Sequence, residues 1–316
     1  MTTYFEELGA VPTAVVDGLR IGAGLDRARD KIVVAVGSGG SFSVARLVAD
    51  LADQGGSLGV ALTPLALLAR GGMPVGAHIV LCSAGGNNSD ARALARRVAQ
   101  MSGDALTVLT GAGDSALKTA ARDIGAQVAE VPLPSGEGFV ATTSLAGLSA
   151  AALAWLAPPE AVALATAGLQ RLAPPVGAAH VWQRATILLL HGANSRAAAV
   201  DVESKFVEGA LGHVQVADYR NFAHGRFHWP MAHPNTGVVV LSAGSEADLA
   251  ERTLAAIPES IPRLHVAEAT PGPAASLLLL LRSLHMVGDV ARHRGLDPAT
   301  TPTPGWGKAL YEDAAL

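Results

Sequence analysis

The acid–base groups of this sequence gather in one short region. Asp201, Lys205 and Glu208 lie on a run patterned as a helix, Ala197 to Ala210, and Asn221-Phe222-Ala223-His224-Gly225 follows in a loop dense with polar groups. Spacings of four and three residues place Asp201, Lys205 and Glu208 on one helix face. A carboxylate, an amine and an imidazole can all carry protons, so acid–base chemistry is one reading. The simpler reading makes Asp201 and Lys205 a surface pair worth roughly a few tenths of a kcal/mol, Glu208 a solvated helix residue and His224 a structural hydrogen-bonding group. Lys308 stands in Pro302-Thr303-Pro304-Gly305-Trp306-Gly307-Lys308, in a chain whose only other lysines are Lys31, Lys118 and Lys205. An amine can form a Schiff base where a guanidinium cannot, although an exposed tail lysine is equally plain. His213, His224, His228 and His233 raise the question of a metal. The four-residue spacing of His224 and His228 is interrupted by Gly225 and reaches Pro230, so no one-face pair is secured and no metal is expected.

Two glycine- and serine-rich turns could hold an anion. Gly37-Ser38-Gly39-Gly40-Ser41 follows an apolar run, but Phe42 replaces the third glycine of a dinucleotide fingerprint. The next strand, ending near Leu62-Thr63, offers no acid for a ribose, so no nicotinamide cofactor is expected. Ser83-Ala84-Gly85-Gly86-Asn87-Asn88-Ser89-Asp90 follows another strand and opens the helix Ala91 to Met101. Free N–H groups and the helix dipole there suit an anion, and an ordinary turn capped by Ser89 or Asp90 suits the same residues.

The elements that carry these groups repeat. Lys31 to Ser41 and Thr186 to Arg196 share a strand–turn–helix plan, with Gly37 matching Gly192 at an offset of 155 residues. His78 to Gly85 matches Gly237 to Gly244, with Ser83 and Ser242 offset by 159 residues. Similar offsets near half the chain length predict a duplicated domain. Strands are expected at Ile32 to Val36, Ser57 to Leu62, Ile79 to Cys82, Leu106 to Leu109 and Gln127 to Val131, alternating with helices in a parallel sheet. The organisation predicted is a helical lead-in at 1–30, a first domain at 31–157, a Pro-bracketed junction at 158–175 and a second domain at 176–316.

Composition narrows the partners. Half of the 316 residues are apolar and 16% are charged, enough for well-buried cores. A net charge of −4 without any run of Lys or Arg argues against nucleic acid. Cys82, the sole cysteine, excludes an intrachain disulfide and a cysteine-based metal site. The first ten residues contain Glu6 and Glu7 and no basic stretch, and the apolar runs Leu145 to Ala157 and Ala274 to Leu281 are shorter than the roughly 18 residues of a membrane span. A cytoplasmic protein that avoids membranes is expected.

The loops and the Glu–His spacing resemble the sugar isomerase (SIS) domain family, and the pairing of two such domains resembles the isomerase half of glucosamine-6-phosphate synthase and related isomerases and deglycases. That resemblance implies two tandem flavodoxin-like three-layer αβα domains, each with a five-stranded parallel sheet, in a homodimer that completes its sites across subunits. Gly39-Gly40-Ser41 matches the family's Gly-Thr-Ser loop. Ser83-Ala84-Gly85-Gly86-Asn87-Asn88 matches its Ser-x-Ser-Gly-x-Thr phosphate loop at Ser83 and Gly86, with Gly85 and Asn88 in place of two hydroxyls. Glu246, in the second-domain turn Ser242 to Glu246, would repel phosphate, so the anion is expected in the first domain. Glu137 to Thr143 resembles the family's turn after the fifth strand. Thr142 and Thr143 are then expected at the sugar, or as helix caps.

Glu208 stands 16 residues before His224, as the catalytic Glu precedes the His-Gly pair in synthase-like relatives. The resemblance implies an aldose–ketose isomerase or deglycase acting on a phosphosugar-like substrate without a cofactor. Glu208 moves the proton, His224 opens the ring and Lys308 polarises or captures the carbonyl, with Lys205 joining the catalytic set. Only about 30 residues precede the first domain, so glutaminase activity is not expected. A noncatalytic sugar-phosphate or nucleotide-sugar sensor is the alternative from another class.

Overall fold

Short runs of Val, Ile, Leu and Ala form strands, and the central strands of each sheet are buried on both faces, the pattern that parallel sheets require. In the computed structural model, which describes residues 2–26, 32–70, 76–101, 103–134, 136–172 and 178–312, the first half of the chain runs α1 (Tyr4–Gly22), β1 (Ile32–Val36), α2 (Gly40–Gln54), β2 (Leu58–Leu62), α3 (Pro64–Leu68), β3 (Ala77–Ser83), α4 (Ser89–Val98), β4 (Leu106–Gly111), α5 (Ala116–Asp123), β5 (Gln127–Val131), α6 (Thr143–Leu156) and α7 (Pro159–Gly168). The second half runs α8 (Ala179–Trp182), β6 (Thr186–His191), α9 (Arg196–Glu208), β7 (His213–Asp218), α10 (Tyr219–Asn221), α11 (His228–Ala232), β8 (Thr236–Ala243), α12 (Ala247–Ala256), β9 (Arg263–Glu268), α13 (Pro273–Arg294) and α14 (Gly305–Glu312). Lys31, Pro174 and Pro175, which mark expected boundaries, lie outside the described residues.

The chain separates into two compact units. One comprises Ala10–Glu137, Ala141–Val162 and Pro302–Leu316; the other comprises Met1–Gly9, Gly138–Val140 and Ala163–Thr301. This grouping interleaves the chain more than boundaries at 31–157 and 176–316 anticipate.

The first unit holds a parallel sheet in the order β2-β1-β3-β4-β5. Val34, Val36, Ile79, Leu81, Leu106 and Val108 face Leu94, Val98 and Leu117 in its core. The order reverses between β1 and β3, so the loops after these two strands flank the switch point where ligands of open α/β sheets bind. The second unit holds a parallel sheet in the order β7-β6-β8-β9. Its switch point lies between β6 and β8. Among the described residues this sheet has four strands where five are expected, since α13 is followed by Pro298–Thr300 and α14 and by no further strand.

The run Ala274 to Leu281 is the start of a longer helix than the sequence predicts. The 22-residue α13 is long and apolar enough to cross a membrane, but 83% of its most apolar window is buried in the protein. It packs against α9, whose Asp201 and Lys205 are 0% and 1% exposed and form an ion pair. The i,i+4 pair is thus a core feature and not the surface pair of the simpler sequence reading. Breaking one side of a buried pair leaves an uncompensated charge, whereas removing both partners costs much less. Asp201→Ala is therefore expected to lose about 3–5 kcal/mol in urea unfolding, with most of it recovered in Asp201→Ala/Lys205→Met. Equal losses in the single and double variants would contradict a core-embedded pair.

Candidate functional site

The loop from Ser83 to Ser89 leaves β3 at the switch point of the first sheet and is held by its own side chains. Ser83 Oγ accepts from the Gly86 N–H at 3.1 Å. Thr110 Oγ1 donates to the Ser83 carbonyl at 2.7 Å. Asn87 ties the loop to the next crossover, its Nδ2 donating to the Asp114 carbonyl at 3.1 Å and its Oδ1 accepting from the Ala116 N–H at 2.9 Å. Gly86 has φ +63°, and a Cβ there would lie 2.4 Å from Ser115 Oγ, so only glycine fits.

Asn88, expected as an anion donor, caps α4: its Oδ1 accepts from the Ala91 N–H at 2.8 Å. The sequence offers Ser89 or Asp90 for that cap, and Asn88 takes it instead. The Asn88 Nδ2 and the backbone N–H groups of Gly85, Asn87 and Ser89 meet no acceptor among the described residues. Ser89 Oγ donates to the Tyr311 carbonyl of α14 at 2.9 Å, and Arg92 Nη1 donates to the Asn87 carbonyl at 2.7 Å. Across the switch point, Gly39 and Gly40 open α2, and the Ser41 hydroxyl has no partner among the described residues. Ser83, Ala84, Gly85, Gly86 and Asn88 thus share one loop beside a second formed by Gly39, Gly40 and Ser41.

Two other helix starts already hold an anion of the protein's own. Glu137 Oε1 accepts from the Thr142 N–H at 2.8 Å, the Thr143 hydroxyl at 2.9 Å and the Ser144 N–H at 2.9 Å, at the first turn of α6. Thr142 and Thr143 are buried, and this carboxylate takes the Thr143 hydroxyl that the sequence reading offers to a sugar. In the second unit, the Glu246 carboxylate accepts from the N–H groups of Asn194 and Ala243. It fills the space at Gly192, where a Cβ would lie 2.3 Å from its Oε1. The repulsion expected of Glu246 is realised as occupancy.

The acid–base candidates fall as follows. Glu208, at the end of α9, is half-buried, and Ser204 Oγ donates to its Oε1 at 2.6 Å. Burial raises its carboxyl above the usual 4.5; the Ser204 bond and Lys205 pull it down, while Asp201 and Glu203 push it up. Lys205 Nζ is committed to Asp201 in the core. His224 is exposed, at a kink between α10 and α11 where Gly225 has φ +105°, so the helix is interrupted where the sequence expects. Lys308 is exposed on α14, 3.8 Å from Glu312. The loop residues, Thr142, Thr143 and Lys308 belong to the first unit, and Lys205, Glu208 and His224 to the second.

Sequence reasoning missed Glu137, Asn87, Ser115 and Ser204 as residues that shape these sites. Ser204 carried a signal, its i,i+4 spacing to Glu208; Glu137 carried only its place five residues before the Thr142–Thr143 pair.

Comparison with solved structures establishes the fold. The chain is similar to a protein from Silicibacter pomeroyi assigned as a phosphosugar isomerase (TM-score 0.73, 18% identity, 94% of this chain and 100% of that one). It is similar to the C-terminal domain of glucosamine-fructose-6-phosphate aminotransferase from Francisella tularensis (TM-score 0.72, 13% identity, 95% and 98%). It is also similar to tagatose-6-phosphate ketose/aldose isomerase from Escherichia coli (TM-score 0.71, 18% identity, 96% and 96%). The architecture is SIS-like across nearly the whole chain. No family model matches the sequence, and no curated protein matches it.

The Glu208 shift has a definite sign. A carboxyl raised on folding favours the folded state while protonated, and that contribution is lost as pH rises from 4.5 through the raised value. Glu208→Gln keeps the shape and the Ser204 bond but carries no charge. It should match the parent in urea unfolding near about pH 4 and exceed it near about pH 7.5. A variant less stable than the parent at neutral pH would contradict a desolvated Glu208.

Proposed function

We propose that the protein binds a phosphorylated sugar and interconverts its aldose and ketose forms, or performs a closely related deglycation, through an enediol. The observation that carries this reading is the Ser83–Ser89 loop: it sits at a switch point with open backbone donors, while Glu137 and Glu246 fill the α6 start and the β6–α9 loop. The phosphate belongs on the Ser83–Asn88 donors with Ser41, at a helix start whose dipole favours negative charge.

Glu208 supplies the chemistry. Its raised carboxyl lies closer to neutrality than an ordinary one, which suits a group that must accept and release a proton in each turnover. It takes the C2 proton as the enediol forms and returns it to C1, while the hydroxyl proton passes from O2 to O1. His224 assists ring opening, and Lys308 polarises or captures the open carbonyl. Lys205, locked to Asp201, fixes the helix that bears Glu208. The reading includes a cytoplasmic homodimer and requires no cofactor.

The test is C2 exchange in D2O, followed by proton NMR over a panel of hexose phosphates. Glu208→Gln should abolish exchange and turnover while ligand affinity stays within about tenfold, since the amide keeps shape but cannot accept the proton. His224→Asn should slow a cyclic substrate more than an open-chain analogue, and Lys308→Arg should impair both. Wild-type activity in all three variants would overturn the site. Saturable binding by the parent without any C2 exchange would mark a sensor instead of an enzyme.

A further inference from the structure

Ser204 precedes Glu208 by one turn of α9, and its Oγ donates to Glu208 Oε1 at 2.6 Å. A serine inside a helix commonly turns its hydroxyl back to the carbonyl one turn earlier, here that of Val200. Ser204 instead gives its single proton forward, to a carboxylate. Such i,i+4 contacts are weak on a solvated helix. Glu208 is half-buried, and a hydrogen bond to an ionised acceptor strengthens as water is removed.

The bond has a geometric consequence. Fixing Oε1 removes much of the torsional freedom of the long glutamate side chain and leaves Oε2 as the oxygen free to exchange a proton. On the premise that Glu208 is the acid–base group, we propose that Ser204 is its positioning residue, holding Oε1 so that Oε2 alone takes the C2 proton and returns it to C1. The bookkeeping closes without Ser204 changing state. When Oε2 gains the substrate proton, Oε1 becomes the carbonyl-like oxygen of a neutral acid and still accepts from Oγ; when Oε2 gives the proton to C1, the carboxylate is restored. Ser204 keeps its own proton throughout and does not touch the sugar.

The experiment measures C2 exchange in D2O and steady-state kinetics on the same sugar phosphate for Ser204→Ala, Ser204→Thr and Glu208→Gln, with thermal melting as a check on folding. Ser204→Ala should lower kcat and the exchange rate by about tenfold to a hundredfold, with KM within about twofold, because a misplaced acid–base group slows the chemical step and leaves binding intact. Ser204→Thr retains the hydroxyl and should recover most of the loss at unchanged melting temperature. If Ser204→Ala keeps parental kcat while Glu208→Gln is inactive, the positioning role is wrong and the acid–base assignment stands. If Ser204→Thr is as slow as Ser204→Ala, the hydroxyl is not what matters and the proposal falls. If Glu208→Gln remains active, or the parent never exchanges C2, the premise fails and takes the Ser204 role with it.

Discussion

A helix that begins at the carboxyl end of a parallel strand presents backbone N–H groups that must find an acceptor. This protein meets the requirement in different ways at different helix starts. Ser115 caps α5 and Asp218 caps α10 with their own side-chain oxygens. Glu137 brings a carboxylate from the preceding loop to α6, and Glu246 reaches across to the β6–α9 loop. At α4 the Asn88 Oδ1 serves the Ala91 N–H, and the donors at Gly85, Asn87 and Ser89 meet no acceptor among the described residues. A phosphate entering either loop already filled by a carboxylate has to displace a like charge. Among the described residues no carboxylate accepts from the Ser83–Ser89 loop, and backbone donors stay open at the start of α4.

The same economy governs α9. Its Asp201–Lys205 pair is buried against neighbouring elements, where the pair is tolerated because each charge has the other. One turn further on, Glu208 makes no ion pair among the described residues, and burial raises its carboxyl. A group kept in an environment that disfavours its charge lowers stability, and active sites accept that cost for reactivity. The contrast on one helix separates a charge held by a counter-charge from one met by the Ser204 hydroxyl.

The central strands were legible because burial on both faces leaves continuous apolar runs: Ile32–Val36 begins and ends where its run does. The strand count of the second sheet was not, since the resemblance implied five and no strand follows α13 among the described residues. Spacing placed Asp201, Lys205 and Glu208 on one face, but spacing cannot say that α13 covers part of it. That a tight turn leads from β3 into α4 was readable from its glycines and serines. The claims of Glu137 on Thr143 and of Asn88 on Ala91 were not, because they depend on how a loop folds back over a helix start, and hydroxyl or amide side chains suit a ligand and a cap equally well.

The central claim is that the loop without a resident carboxylate is the one that takes the substrate's phosphate. Crystals of the protein grown with a hexose phosphate would test it most directly. Phosphate density against the N–H groups of Gly85 to Ser89, with Glu137 and Glu246 still at their helix starts, is the result predicted. Phosphate at Gly192 to Ser195 with Glu246 displaced, or a sugar bound with its phosphate away from both loops, would contradict the account.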